Sequence, residues 1–203
     1  MRAVDLNDVV HHGLCAGCGI CESMAGRSSV EMRLTSFGQI RPRTKTPLDD
    51  KLLSDILAVC PGLQIHGPDP AAPGKTGVMD PVFGPIASLH RVWAGDDSIR
   101  FRAAAGGSLT ALGRHLLKSG EVDAVLHVAA SPTQPELTEA WISRTPDEVI
   151  EGSQSRYGPS APLVHVHALL DEGIRFAVIA KPCDVAAIRN LARHDPRVEK
   201  QIP

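Results

Sequence analysis

Residues 15–21 read Cys15-Ala16-Gly17-Cys18-Gly19-Ile20-Cys21, three cysteines at steps of three on a glycine-broken run. A fourth, Cys60, lies far downstream and is followed directly by Pro61. A C-x2-C-x2-C run with a Cys-Pro is how bacterial ferredoxins hold iron–sulfur clusters, although there the Cys-Pro next in sequence serves the other cluster. Three thiolates at this spacing can wrap one corner of a 4Fe–4S cubane. Gly17 and Gly19 let the backbone come close and offer N–H groups to the sulfurs. Cys60 then closes the cage from the opposite side. The rival metal is zinc on four cysteines, but zinc ribbons usually present two separated C-x2–4-C pairs. Buried, unligated cysteines are the blandest alternative, and a Gly-rich segment does not read as a core strand.

The rest of the composition suits such a module. The chain has 203 residues, 43% hydrophobic and 22% charged, with a formal net charge of −2. That is ordinary for a globular protein and long enough for a full domain plus a smaller one. No basic footprint argues for nucleic acid. No run approaches the ~20 apolar residues of a membrane helix. The N-terminal MRAVDLNDVVHHG has no apolar signal-peptide core, so the expected compartment is the cytoplasm. In that reducing setting the five cysteines are expected as thiols or ligands, not disulfides. His11 and His12 are expected on the surface at a helix end.

Three zones follow: a cysteine module over 1–66, a Pro/Gly/Asp-rich linker over 67–98, and alternating helices and strands over 99–203. In the first zone Thr46 is expected to cap a helix with Pro47 at its first position. Leu52, Leu53, Ile56 and Leu57 form its apolar face, and it ends at Cys60-Pro61. In the third zone helices are expected over 108–118, 146–150, 160–170 and 184–192, and strands over 124–128, 141–143 and 176–179. The expected fold class is α/β: a small ferredoxin-like iron–sulfur module followed by an α/β layer domain.

Three further motifs carry chemistry. Gly106-Gly107-Ser108 opens a helix whose free N–H groups, with Ser108 and Thr110 hydroxyls, suit a phosphate. Arg100 and Arg102 lie just before it. The alternative is a tight turn capped by Ser108. In Gln154-Ser155-Arg156-Tyr157-Gly158-Pro159-Ser160, the only tyrosine of the chain sits in a Gly/Pro/Ser loop, where binding residues concentrate. The alternative is a helix-entering turn capped by Ser160. Lys181-Pro182-Cys183-Asp184 follows a buried strand, the place where α/β sheets bind ligands. Cys183, at a helix N-terminus beside a lysine, is expected to be partly thiolate. It can serve as a cluster ligand, a redox thiol or a flavin contact, or merely fill a turn. Gly74-Lys75-Thr76 lacks the upstream glycine of a P-loop and reads as surface linker.

Taken in order, the C-x2-C-x2-C run, the Cys-Pro, GGSLTAL, SRYGPS and the strand into Lys-Pro-Cys-Asp resemble the coenzyme F-420 hydrogenase/dehydrogenase beta-subunit family. The resemblance implies a cytoplasmic iron–sulfur flavoprotein oxidoreductase, with 99–203 as its flavin and substrate domain. It implies a 4Fe–4S cluster on Cys15, Cys18, Cys21 and Cys60, and FAD near Gly106, Gly107, Ser108 and Thr110. Ser155, Tyr157 and Lys181 would lie near the flavin or substrate. Electrons would pass between the cluster and FAD, and on to coenzyme F-420 or another planar acceptor. The donor would be a ferredoxin or a hydrogenase/dehydrogenase subunit. The chain departs from relatives in having Ala180 where a glycine is frequent. Relatives also continue past this length with further cysteines, which Cys183 would join in a second cluster; the chain therefore reads as a partial member. Two other functions stay open: a ferredoxin-like electron-transfer module without flavin, and a zinc-stabilised interaction domain.

Overall fold

The structure, a computed structural model, describes residues 5–67 and 78–203. The Gly74-Lys75-Thr76 segment lies outside the described residues.

The first zone folds as two short helices, a hairpin and a third helix. Helix α1 (Leu6–His11) is capped by Asp5, which accepts from Asp8 N. It ends at His11 and His12, both exposed, as expected. Helix α2 (Ile20–Ala25) starts from Gly19 in the left-handed region at φ 88, which a glycine takes without strain. Strands β1 (Val30–Leu34) and β2 (Ile40–Thr44) pair antiparallel, Val30 opposite Thr44 and Leu34 opposite Ile40. Helix α3 (Asp50–Val59) buries Ile56 and Val59 and rests Leu52, Leu53 and Leu57 on the same apolar cluster. Its cap is Asp49, which accepts from Leu52 N at 2.8 Å, and not Thr46. A carboxylate three residues before that N–H completes the turn; Thr46 lies one turn too early. Cys60 ends the helix in extended conformation, as expected.

The 67–98 stretch is not purely linker. Residues Val78–Asp80 (β3) and Gly84–Ile86 (β4) form a short antiparallel hairpin around a turn where Asp80 accepts from Val82 N and Phe83 N. A helix, α4 (Asp97–Arg102), then starts from Asp96, which accepts from Ser98 N and Ile99 N.

The main layer is a three-stranded sheet in the order β6-β5-β7. Strand β5 (Ala124–Ala130) lies between β6 (Thr138–Ser143), antiparallel, and β7 (Phe176–Val178), parallel. Ala124, Val125 and Leu126 are wholly buried, as a strand covered on both faces must be. Helices α5 (Ser108–Ser119) and α6 (Pro146–Glu151) cover one face through Leu116, Leu117, Val125 and Val149. Helices α7 (Val166–Glu172) and α8 (Pro182–Ala192) cover the other through Leu169, Leu170 and Leu191 against Leu126 and Phe176. A short α9 (Arg197–Gln201) packs on α7 and α8. The fold is mixed α/β with small sheets. Among the described residues no helix is long and apolar enough to cross a membrane.

Two further helices start elsewhere than the sequence reading placed them. The helix expected over 160–170 begins only at Val166, after a run of turns, and its cap is His165. Pro162 has no N–H, and Leu163 N donates to Cys18 O at 2.9 Å, so this segment holds the cysteine loop instead of coiling. The expected Lys-Pro-Cys turn is already helix α8, with Pro182 at its first position.

The cysteine module and the sheet share one core. Cys18, Ile20 and Val59 pack in the same apolar cluster as Leu126, Leu163, Phe176 and Leu191. Asn190, 1% exposed, donates to Val59 O at 3.2 Å and Gln64 O at 3.0 Å, tying α8 to the end of α3.

Candidate functional site

The four cysteines converge. Cys15, Cys18, Cys21 and Cys60 line one enclosed cavity with Leu6, Val9, Ile20, Met32 and Ile56. Two left-handed glycines, Gly17 at φ 73 and Gly19 at φ 88, turn the loop that presents the first three. Any side chain at Gly19 would strike Val164 and Ala161, and one at Gly17 would meet Ile40. Cys60 arrives from the end of α3.

Burial pushes the Cys18 thiol up to about 12, and it raises Cys21 and Cys60 as well. The neighbouring cysteines add to this, because thiolates crowded in one cavity repel one another. Backbone N–H groups oppose the rise: Ile20 at Cys18, Glu22 at Cys21, and Gly62 and Leu63 at Cys60. These donors differ from Gly17 and Gly19, the two the sequence had singled out. A positively charged inorganic core would relieve both the burial and the repulsion, so the donor set fits such a group. Among the described residues, no three His, Cys, Asp or Glu side chains are grouped to hold a single metal ion.

Cys183 does not line this cavity. It sits half-buried in the first turn of α8, its Sγ 3.9 Å from Asp184 Oδ1.

A second cavity, of about 410 Å³, lies against the outside of the cysteine loop. Its walls include Ala16, Ile40, Arg41, Val128, Tyr157, Ile179, Lys181 and Asp184. Tyr157, 96% exposed, and Lys181 thus line the same cavity. Lys181 Nζ stands 2.9 Å from Asp184, which is wholly buried. Arg156 is occupied in holding the loop before β6, donating to Pro135 O and Leu137 O.

A third, smaller cavity of about 160 Å³ is lined by Ser108, Thr110 and Ser155, with Ala105, His127, Val128, Gln154 and Ile179. Val128 and Ile179 belong to both this cavity and the second one. They stand at the carboxyl ends of β5 and β7, the edge where α/β sheets take ligands. Gly107 starts α5 in the left-handed region without a side-chain cap. Ser108 is the first helical residue and not the cap. Gly106 and Gly107 turn away from the cavity and pack close to Trp93 and Ile99, where a Cβ would be crowded. Ala105 at φ 50 and Gln154 at φ 93 are the non-glycine residues with positive φ among the described residues, and both line this cavity. Such strain gathers at functional sites. His127 forms part of the floor, its Nε2 2.7 Å from Ser143 Oγ, and burial lowers its pKa.

The sequence reading gave no role to Ala16, Ile40, Arg41, Ala105 or Gln154, although Ala16 and Gln154 lie inside motifs that it quoted.

Residues 89–168 match the model of the family described as coenzyme F420 hydrogenase/dehydrogenase, beta subunit N-term. This is the family that the order of motifs resembles, and the matched segment contains Gly106, Gly107, Ser108, Thr110, Ser155 and Tyr157. No curated protein matches the chain. Among solved structures, a chain of the F420-reducing [NiFe] hydrogenase complex from Methanosarcina barkeri is similar at 22% identity and a TM-score of 0.49. The likeness covers 54% of this chain and 39% of that one, so this chain spans well under half of that relative's length.

Proposed function

We propose, from the match of residues 89–168 to that beta-subunit family, that the chain is an iron–sulfur flavoprotein oxidoreductase subunit. Cys15, Cys18, Cys21 and Cys60 would hold a 4Fe–4S cluster. FAD would lie along the second and third cavities. When bound, the cluster supplies one-electron transfer and the flavin couples it to two-electron reduction of a planar acceptor such as coenzyme F-420. The donor would be a ferredoxin or a partner hydrogenase or dehydrogenase subunit, in the cytoplasm.

One observation carries this reading: the cavities adjoin one another. Ala16 lines both the cysteine cavity and the second cavity, and Val128 and Ile179 line both the second and the third. Ala16, without polar atoms on its side chain, would lie on the wall shared by the cluster's cavity and the one next to it.

The chain's own residues have definite tasks. The first N–H groups of α5, with Ser108, Thr110 and Ser155, suit the pyrophosphate. Tyr157 offers an aromatic face to a planar ring, and the Lys181–Asp184 pair fixes a cation at the cavity wall. The apolar shell of Leu6, Val9, Ile20 and Ile56 keeps water from the thiolates. Zinc ribbons usually present two separated C-x2–4-C pairs, whereas three of these cysteines fall in one run of seven residues.

The test is anaerobic purification followed by measurement of iron, acid-labile sulfide, zinc and flavin per chain. Roughly four irons with matching sulfide are expected for a cubane, with flavin bound. Iron and sulfide without flavin would leave an electron-transfer module. Zinc without sulfide would overturn the reading in favour of a structural metal domain.

A further inference from the structure

The second cavity contains one cation that no carboxylate answers. Arg156 is committed to two backbone carbonyls and Lys181 to Asp184. Arg41, half-buried on β2, takes part in none of the ion pairs among the described residues. Its side chain donates from Nη1 to the carbonyl oxygen of its neighbour, Ile40, at 2.8 Å. That bond folds the guanidinium back over the cysteine loop. A Cβ placed on Gly17, between Cys15 and Cys18, would lie 3.4 Å from Arg41 Nη1. Arg41 thus brings a guanidinium against the cysteine loop that no carboxylate pairs among the described residues.

We propose that Arg41 is a positioning residue that sets the reduction potential of the group held by the four cysteines. This rests on the cluster reading above. Adding one electron to a cluster on four thiolates adds one negative charge and requires no proton. A fixed positive charge on the loop carrying three of those thiolates therefore favours the reduced form and raises the midpoint potential. Net charge near the cluster is among the levers that set such potentials. The opposing charge is Asp184, which acts on Cys18 in the other sense but is itself paired with Lys181. Arg41 is thus the uncompensated member of the set. It also lines the cavity between the cluster and the acceptor, so the same charge would ease electron entry from the cavity side.

The experiment is a dithionite titration of the anaerobically purified protein, with the cluster midpoint read by its visible and EPR signals. Arg41→Gln is expected to move the midpoint to lower potential, and Arg41→Lys to keep it near that of the unmodified protein. Arg41→His supplies a switchable charge on one polypeptide. Its midpoint should fall as pH rises through the ordinary histidine range, around 6.5, more steeply than that of the unmodified protein. This variant decides the matter if Arg41→Gln fails to retain iron. A midpoint unchanged in Arg41→Gln, or Arg41→His tracking the unmodified protein across pH, would overturn the role of Arg41 alone. Absence of iron and sulfide from the unmodified protein would instead overturn the cluster reading beneath it.

Discussion

At the scale of single residues, the site depends on glycines for two different reasons. Gly17 and Gly19 need the left-handed region and also have no room for a side chain. Gly62 is not among the positive-φ glycines, yet a Cβ there would fall on the carbonyl of Leu14. Leu14 precedes Cys15 and Gly62 follows Cys60-Pro61, so this backbone contact sets how near the two cysteine-bearing segments come. Gly62→Ala is therefore expected to push them apart. The protein should lose about 1–3 kcal/mol of stability, as overpacked positions do, and retain less iron per chain. Gly67→Ala, where a Cβ meets nothing within 4 Å, should leave both unchanged. Urea unfolding and iron analysis of the two variants check this. The spacing of the cysteines was readable from the sequence, whereas the role of Gly62 was not. Nothing local distinguishes a glycine kept for space from one kept at a turn.

At the scale of elements, the apolar periodicity located α3, α5, β5, β6 and β7 but missed α1, α2, α4, α9 and the β1–β2 and β3–β4 hairpins; in the elements it found, the differences lie at termini. Thr46 and Asp49 are both good caps, and an apolar face beginning at Leu52 is compatible with either. The bond from Leu52 N to Asp49 decides between them. Asp49→Ala should cost about 1 kcal/mol, the usual loss for a cap, while Thr46→Ala should be silent. Thermal or urea unfolding distinguishes the two. The late start of α7 has a different cause. Its first expected turn gives Leu163 N to Cys18 O, a bond between residues far apart in sequence. Helix propensity contains no information about such a partner.

At the scale of the whole molecule, the cysteine module is built into the sheet's core instead of hanging from it. Cys18, Ile20 and Val59 pack with Leu126, Phe176 and Leu191. Asn190 supplies the polar part of this junction, through Val59 O and Gln64 O on either side of Cys60. Asn190→Leu would leave two carbonyls without their donor, at a cost of about 1–3 kcal/mol. The expected outcome is a lower unfolding midpoint together with faster iron release, since α3 ends at Cys60. If stability falls while iron release keeps its rate, the junction does not support the fourth cysteine.

The sequence by itself determined which chemical groups are at hand. Residue identity and short-range spacing suffice to recognise three thiols on a glycine-broken loop, a Cys-Pro, and a Gly-Gly-Ser helix start. It also determined the α/β alternation, because the 2- and 3.6-residue periods are local properties of the chain. Only the tertiary structure decided which residues stand between the sites. Ala16 as the shared wall, Arg41 folded over Gly17, and Ala105 and Gln154 held at positive φ beside Ser108 and Ser155 all arise from contacts across the chain. Such contacts depend on how a buried backbone meets its hydrogen-bond and packing demands, and that is settled only when the whole core closes.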